Sequence, residues 1–169
     1  MSSLSSLLHA LSPELCITLG ALGVLAIDMV SGDPCDGRVR RIRLLVVLAS
    51  LLSVVACFNL WAGPLPVGLF PRSDAEGGLG PTAFTVDNLA VALKVLIGLL
   101  TALTVLVSEG RFEEEQRNAG EYYALLLFAA LGMQVAVSAS EFLTFFVAFE
   151  LFSIPLYTLA AMRRYRAES

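Results

Sequence analysis

The chain has 169 residues, of which 57% are hydrophobic and 15% are charged, and its net charge at pH 7 is −4. Soluble domains hold about 45–50% apolar and about 25% charged residues. A soluble globule with a mean hydropathy of +0.78 would carry a largely apolar surface. The composition therefore excludes a disordered chain, a coiled coil and a collagen, and it argues against a soluble enzyme. The small negative charge offers no basic face to nucleic acid.

The cysteines and the single histidine do not predict a metal site. No C-x-x-C pair occurs, and His9 alone does not supply the ligand spacing of a zinc site. Three cysteines cannot form a complete disulfide framework, so we interpret them as free thiols that behave as small hydrophobic residues. No nucleotide-binding loop, flavin motif or iron–sulfur ligand set is present. We expect this chain to bind no cofactor or metal itself.

Five apolar stretches are long enough, or nearly so, to cross a membrane. A hydrocarbon core of about 30 Å needs about 20 mostly apolar residues in a helix, and these runs are too long and unbroken for barrel strands. Lipid leaves only helices and closed barrels as spanning structures. The sequence therefore predicts an all-α polytopic membrane protein in which residues 1–169 form a single membrane unit. The predicted spans are residues 14–30, 44–61, 85–107, 122–138 and 142–162.

The connections between these spans predict their orientation. The odd-numbered connections, with the C-terminal tail counted as the fifth, carry nine of the ten arginines. The N-terminus and the even-numbered connections carry one, Arg72. Because basic residues are enriched in cytoplasmic loops, we predict that the N-terminus lies outside and the C-terminus in the cytoplasm. The second connection, residues 62–81, has five glycines and four prolines and is predicted to be irregular.

Ionisable residues inside the spans carry the functional information, because such residues are rare in membrane segments. Glu14 and Asp28 lie near the ends of the first span, and we interpret them as interfacial charges that headgroups and water can reach. Asp87 stands where the third span begins and can cap that helix. Lys94 and Glu150 lie well inside the third and fifth spans and have no such explanation.

Glu150 has the properties of a proton carrier. Eleven Leu, Ile, Val or Phe residues in 142–162 favour insertion by about 3–6 kcal/mol, whereas a central acidic residue opposes it by about 2.5–3.5 kcal/mol. Lipid favours the protonated acid and a nearby cation favours the carboxylate, so a balanced group can load and release a proton. Pro155 frees the carbonyl of Leu151 beside this acid, and Ser153 adds a hydroxyl group. The alternative is a neutral acid that forms an interhelical hydrogen bond.

Lys94 is a possible charge partner of Glu150. Lys94 lies eight positions past Val86 and Glu150 eight positions past Phe142, which corresponds to about 12 Å of helical rise, and both spans run in the same direction. The two side chains are therefore expected at similar depth, where they can face each other or share a hydrated cavity. Alternatively, Lys94 reaches the membrane surface or pairs with another subunit.

Four segments resemble a known membrane subunit. The motif F-E-L-F-S-I-P-L-Y-T-L-A-A at 149–161 resembles the fifth helix of the subunit N family of proton-pumping NADH-quinone oxidoreductase, respiratory complex I. The motif E-Y-Y-A-L-L-L-F-A-A-L-G-M-Q at 121–134 is similar to its fourth helix, and F-T-V-D-N-L-A-V-A-L-K-V-L-I at 84–97 to its third. P-E-L at 13–15, followed by Asp28, is similar to its first.

The resemblance implies a membrane-arm subunit that contributes to proton translocation coupled to quinone reduction. It implies that Glu150 belongs to the proton channel, where the family pairs this glutamate with a lysine of a later helix. NAD, flavin, iron–sulfur clusters and quinone are then bound by partner subunits, and this chain alone is not catalytic. The implied location is the bacterial inner membrane, and the implied partners are the lipid bilayer and the other membrane-arm subunits.

The resemblance also implies about fourteen helices in two inverted repeats, whereas this sequence ends after the fifth span. We therefore expect a partial antiporter-like subunit, whether a fragment, a truncated product or one piece of a split subunit. Two other functions remain open at this stage. One is a subunit of a multisubunit cation/proton antiporter, and the other is a membrane scaffold without transport activity.

Cysteine labelling in intact cells tests the predicted orientation. With the native cysteines replaced by serine, a cysteine introduced within residues 38–43 should resist an impermeant thiol reagent until the membrane is opened. A cysteine introduced within residues 62–81 should react from outside at once. Labelling of the 38–43 site from outside would show that the orientation is reversed.

Overall fold

The protein is a bundle of five membrane-length helices with a small β-hairpin at one end. The structure, a computed structural model, describes residues 8–30, 36–62, 69–73, 79–108 and 119–165. Each of the five helices contains a stretch long and apolar enough to cross a membrane, which confirms the prediction of an all-α polytopic membrane protein. In chain order the elements are α1 (Ser12–Val30), α2 (Asp36–Ala62), β1 (Leu69–Ser73), β2 (Leu79–Phe84), α3 (Asn88–Val107), α4 (Ala119–Ser138) and α5 (Phe142–Tyr165).

Four of the five helices extend beyond the apolar runs that revealed them, and α3 begins three residues inside its run. α2 begins at Asp36, eight positions before the predicted span, and so includes Arg38, Arg40, Arg41 and Arg43. Arginine is a good helix former, and hydropathy marks where a helix meets the lipid rather than where the helix begins. α3 begins at Asn88 because Asp87 caps it, with the Ala90 N–H donating to Asp87 Oδ1 over 2.7 Å. Arg111, Arg117, Arg166 and Cys35 lie outside the described residues.

The second connection is more regular than predicted, because it contains an antiparallel hairpin. β1 pairs with β2 in a register that places Leu69 opposite Phe84 and Pro71 opposite Thr82, with a bulge between Pro71 and Ser73. The glycines and prolines indicated an irregular loop. Both strands of a two-stranded ribbon are edge strands, however, and an edge strand tolerates the missing N–H of a proline.

The end of the hairpin is tied to the connection between α4 and α5. Thr85 N–H donates to the Ser138 carbonyl over 2.8 Å, and Ser140 N–H donates to the Ala83 carbonyl over 3.1 Å. The Ser140 hydroxyl donates to Thr85 Oγ1 over 2.8 Å. These bonds hold Phe84 against the ends of the helices. We call this side of the bundle, where α1 and α3 begin and α4 meets α5, the hairpin end.

α4 is the central helix, since it contacts α1, α2, α3 and α5. Its interior residues join an apolar cluster with residues of three other helices. α5 packs closely against α4 alone, and it is the least buried of the five helices. The cluster consists of Ile17, Ala21, Val24, Ile42, Val46, Val105, Ala119, Tyr123, Ala124, Leu127 and Ala130.

A glycine lets α4 and α5 approach closely. A methyl group on Gly132 would lie 2.6 Å from the Phe152 backbone nitrogen and 2.8 Å from its Cβ atom. Small residues at helix crossings are the usual means by which membrane helices gain van der Waals contact, because lipid supplies no hydrophobic force between them. Gly132 therefore determines how α5 is seated on α4.

Substitution of Gly132 by alanine should loosen this contact. The added methyl group meets backbone atoms, which cannot rotate away, so we expect a destabilisation of about 1–3 kcal/mol. The measurement is the thermal stability of the protein in detergent, followed by protease cleavage of the α4–α5 connection. Gly37→Ala is the matched control, because nothing lies within 4 Å of a methyl group there. Equal stability of the two variants would contradict the close packing.

Candidate functional site

Lys94 and Glu14 form an ion pair in the interior of the bundle. Lys94 Nζ lies 2.6 Å from Glu14 Oε1, and the two side chains are 0% and 8% exposed. Glu14 was interpreted from the sequence as an interfacial charge, and this interpretation is wrong. It lies early in α1, but its side chain points inward to Lys94 of α3. The structure brings Lys94 to Glu14 and does not bring it to Glu150.

Helical periodicity places both charges on buried faces. Lys94 belongs to the inward stripe of α3, with Ala90, Val91 and Gly98 on the same side. Glu14 belongs to the inward stripe of α1, one turn before Ile17. Residues three or four positions apart share a helix face, but α1 is apolar on every side, so its sequence did not mark the face on which Glu14 lies as the buried one.

An aromatic ring closes the ion pair on the side of the hairpin. Lys94 Nζ lies 5.1 Å from the centroid of the Phe84 ring, within the range of a cation–π contact. Phe84 is itself buried in a cluster with Cys57 of α2 and Val91 of α3. Cys57 thus shares its buried cluster with the ring that covers Lys94.

Further polar groups line the interior between α2 and α4. Gln134 Nε2 donates to the Ser53 hydroxyl over 3.0 Å, and both residues are fully buried. Ser138 is also fully buried, one turn further along α4. Cys57 follows Ser53 by one turn on α2. These side chains of α2 and α4 therefore add buried polar groups to an interior that also holds the ion pair.

A second ion pair lies at the opposite end of α1. Asp28 Oδ1 is 3.5 Å from an Arg38 guanidinium nitrogen, and the side chains are 22% and 7% exposed. A methyl group on Gly120 of α4 would overlap the Asp28 carboxyl group. Asp28 is partly exposed, as expected for an interfacial charge, but it also links α1 to α2 and touches α4.

Glu150 occupies a different surface, the outward side of α5. Within the described residues no cation lies at ion-pair distance from its carboxylate. The Ser153 hydroxyl donates to the Glu150 backbone carbonyl over 3.4 Å and not to the carboxylate. Pro155 lies inside α5 and is buried. Exposed apolar side chains share this open face of α5 with Glu150, namely Leu143, Phe146, Val147, Ile154 and Tyr157.

These groups support acid–base chemistry rather than metal binding. Among the described residues no three His, Cys, Asp or Glu side chains form a group that could hold a metal ion, and Cys16 and Cys57 are free thiols. What the chain offers is carboxylates and an ammonium group in low-dielectric surroundings, where protonation depends strongly on the neighbours of each group.

The ion-pair geometry predicts which substitutions are coupled. Lys94→Met leaves the Glu14 carboxylate buried without its cation, a loss of about 3–5 kcal/mol. Adding Glu14→Gln should restore part of that stability, so the double variant should be more stable than the two single effects predict. Lys94→Met and Glu150→Gln should instead be additive. The measurement is thermal unfolding of all variants in one detergent, and coupling to Glu150 but not to Glu14 would contradict the pairing.

Comparison with known proteins finds relatives of this chain. No family model matches the chain, but curated relatives do. The chain is 35% identical over 159 residues to NADH-quinone oxidoreductase subunit N 2 of Koribacter versatilis strain Ellin345, across 93% of this chain and 30% of the relative. It is 35% identical over 153 residues to subunit N of Magnetococcus marinus strain MC-1, across 90% of this chain and 29% of that relative. It is 33% identical over 156 residues to subunit N of Desulfovibrio desulfuricans strain ATCC 27774, across 92% and 28%.

The chain thus spans about three tenths of the length of these relatives and matches them over 90% or more of its own length. This agrees with the resemblance that the helix motifs indicated, and with the five apolar helices of the structure. The chain is therefore similar to part of NADH-quinone oxidoreductase subunit N.

Proposed function

We propose that the chain is part of the membrane arm of an NADH-quinone oxidoreductase and contributes to proton translocation coupled to quinone reduction. The relatives are subunits N of NADH-quinone oxidoreductases, which supports membership of that complex. The observation that carries the proton role is a carboxylic acid, Glu150, on the open face of an apolar membrane helix. The proposed location is the inner membrane of a bacterial cell, with multiple crossings.

The surroundings of Glu150 argue for a group that changes its protonation state. An ionised carboxylate that faced lipid would oppose insertion by several kcal/mol, so the acid is either protonated or covered by a cation of a neighbouring segment. α5 leaves this face uncovered and packs closely only on α4. A helix that contacts Glu150 through a lysine or arginine would favour the carboxylate, and withdrawal of that cation would favour the acid.

The local backbone supports the same role. Pro155 has no N–H, so the carbonyl four residues earlier, that of Leu151, loses its helical hydrogen bond. This carbonyl adjoins Glu150, and a freed carbonyl beside an acid can bind the water that passes a proton on. The Ser153 hydroxyl already bonds the neighbouring carbonyl of Glu150, so the freed Leu151 carbonyl stays available.

The residues of this chain indicate which steps we assign to it and which to partner subunits. Electron transfer from NADH to quinone needs NAD, flavin, iron–sulfur and quinone sites, and we assign these to partner subunits of the complex. This chain supplies ionisable groups within the membrane. It acts as a subunit of an oxidoreductase and performs none of the redox steps itself.

Glu150→Gln tests the carrier role in the intact complex. The amide keeps the size and hydrogen bonding of the acid but cannot ionise, so the number of protons pumped per quinone reduced should fall. Glu150→Asp keeps the acid and should be milder. The readout is proton uptake by vesicles that contain the complex, normalised to the amount of assembled complex on native gels.

Glu121→Gln is the matched control, because it makes the same change at an exposed glutamate in the first turn of α4. It should leave pumping unchanged. A neutral acid and an amide form interhelical hydrogen bonds of similar strength, about 1 kcal/mol. Normal pumping by an assembled Glu150→Gln complex would therefore reduce Glu150 to a packing residue and overturn the assignment.

A further inference from the structure

We propose that the Glu14–Lys94 pair is a second proton-exchange site, separate from Glu150, which water reaches from the hairpin end past the ring of Phe84. The proposal deepens the proposed function and rests on it for the source of the protons. It concerns groups that lie on α1 and α3, whereas Glu150 lies on the far face of α5.

The first reason is that the pair adds little net stability to the fold. Both side chains are removed from water, and the desolvation of two charges offsets most of their attraction, so well-packed apolar residues often serve a fold as well or better. An ionisable residue deep in a membrane helix is by default a candidate for proton or ion handling. Here two of opposite charge meet at 2.6 Å.

The second reason is a set of buried acceptors beside the pair. Glu14 Oε2, Gln134 Oε1 and Ser138 Oγ are buried and have no hydrogen-bond partner within the described residues. A native interior rarely leaves such atoms unsatisfied, and ordered water is the usual partner. Gln134 and Ser138 are 0% exposed, so only internal water can serve them.

The third reason is that these acceptors are linked to the pair through neighbouring residues. Gln134 bonds Ser53, and one turn along α2 from Ser53 is Cys57, which shares a buried cluster with Phe84. The Ser138 backbone carbonyl accepts the Thr85 N–H, and the residue before Thr85 is Phe84, whose ring covers Lys94. The polar atoms and the ion pair therefore enclose the same interior region at the hairpin end.

Phe84 is placed to close this region. It is 6% exposed, and its neighbours on both sides are hydrogen-bonded to residues 138–140. The ring is an apolar barrier between the pair and the hairpin end, and a rotation of one side chain would open it. Cys57 of α2 shares the buried cluster of Phe84 and carries a titratable thiol, whereas the side chains of Gln134, Ser138 and Phe84 do not ionise.

The exchange step balances without any redox partner. The N–H bond of the Lys94 ammonium breaks and an O–H bond forms on Glu14 Oε1, with the electron pair staying on nitrogen. The new carboxylic acid gives its proton to water at the hairpin end and returns to the carboxylate. The Lys94 amine then takes a proton from water on the interior side. One proton enters and one leaves, and the ion pair is restored.

Hydration of the site can be tested without measuring pumping, because Cys57 is a native reporter beside the pair. In membranes that contain the complex, Cys16→Ser and Cys35→Ser leave Cys57 as the only thiol of this chain. We expect a small hydrophilic methanethiosulfonate reagent to modify Cys57, and Phe84→Ala to speed the reaction several-fold. Ala21→Cys, in a background with Cys57→Ser, is the control, since Ala21 is fully buried in the apolar cluster and should stay unmodified.

A dry site would overturn the proposal. If Cys57 reacts no faster than the cysteine at position 21, with Phe84 present or replaced, water does not reach the pair. If Phe84→Ala fails to assemble, the comparison of Cys57 with the position-21 control in the parent complex still decides the question. This result is independent of Glu150, so a failed proton role for Glu150 and a dry Glu14–Lys94 pair are separate outcomes.

Proton exchange itself is tested by removing both charges together. Glu14→Gln with Lys94→Met leaves no unpaired charge and cannot exchange protons, so the protons pumped per quinone reduced should fall. Glu14→Lys with Lys94→Glu keeps an acid and an amine in contact and should pump better than the neutral double variant. Wild-type pumping by the neutral variant would show that the pair is structural and would overturn the exchange role. If neither variant assembles, the Cys57 measurement decides the question.

Discussion

The buried charge of Lys94 is the constraint on which the arrangement of this bundle depends. An ammonium group without water needs a counter-charge and a polarisable neighbour, and the fold provides both. α1 brings the Glu14 carboxylate to 2.6 Å, and β2 ends with Phe84 over the other side. The hairpin is fixed to the α4–α5 connection, so the surroundings of this one charge involve the first four helices of the chain.

The two ion pairs of α1 define its position in the membrane. Glu14 at one end binds α3, and Asp28 at the other binds α2 and touches Gly120 of α4. Between them the contacts are apolar and come from small or branched residues. In lipid such contacts select one helix register only weakly, because lipid tails are as apolar as the side chains of a neighbouring helix. The charged ends therefore specify the register that the apolar middle leaves open.

Lys94 and Glu150 serve different surfaces of the molecule. Lys94 is enclosed by the bundle and its counter-charge belongs to the same chain. Glu150 lies on the outward side of α5, which is the least buried of the five helices. A charge that is paired internally changes its protonation only when water enters, whereas a charge on an open face responds to whatever helix is placed against it. In the proposed function the two groups therefore act as two separate sites.

The sequence by itself determined the fold class, the five helices, the cap at Asp87 and the resemblance to subunit N. Each of these rests on local information, namely an apolar run of sufficient length, a carboxylate three residues before a backbone N–H, or a contiguous motif. The sequence also identified Lys94 and Glu150 as unusual, because a charge within an apolar run is visible without any structure.

Only the tertiary structure decided which charges meet. Membrane helices that are apolar on every side give no periodic signal of which face turns inward, so Lys94 was matched to Glu150 by depth, when its partner is Glu14. Glu14 looked interfacial because its distance from the helix end is local information, whereas its burial depends on a hairpin formed by residues far along the chain. That hairpin was itself hidden by prolines and glycines. The sequence indicates the local helices, but it does not indicate which residues far apart in the chain pair with each other.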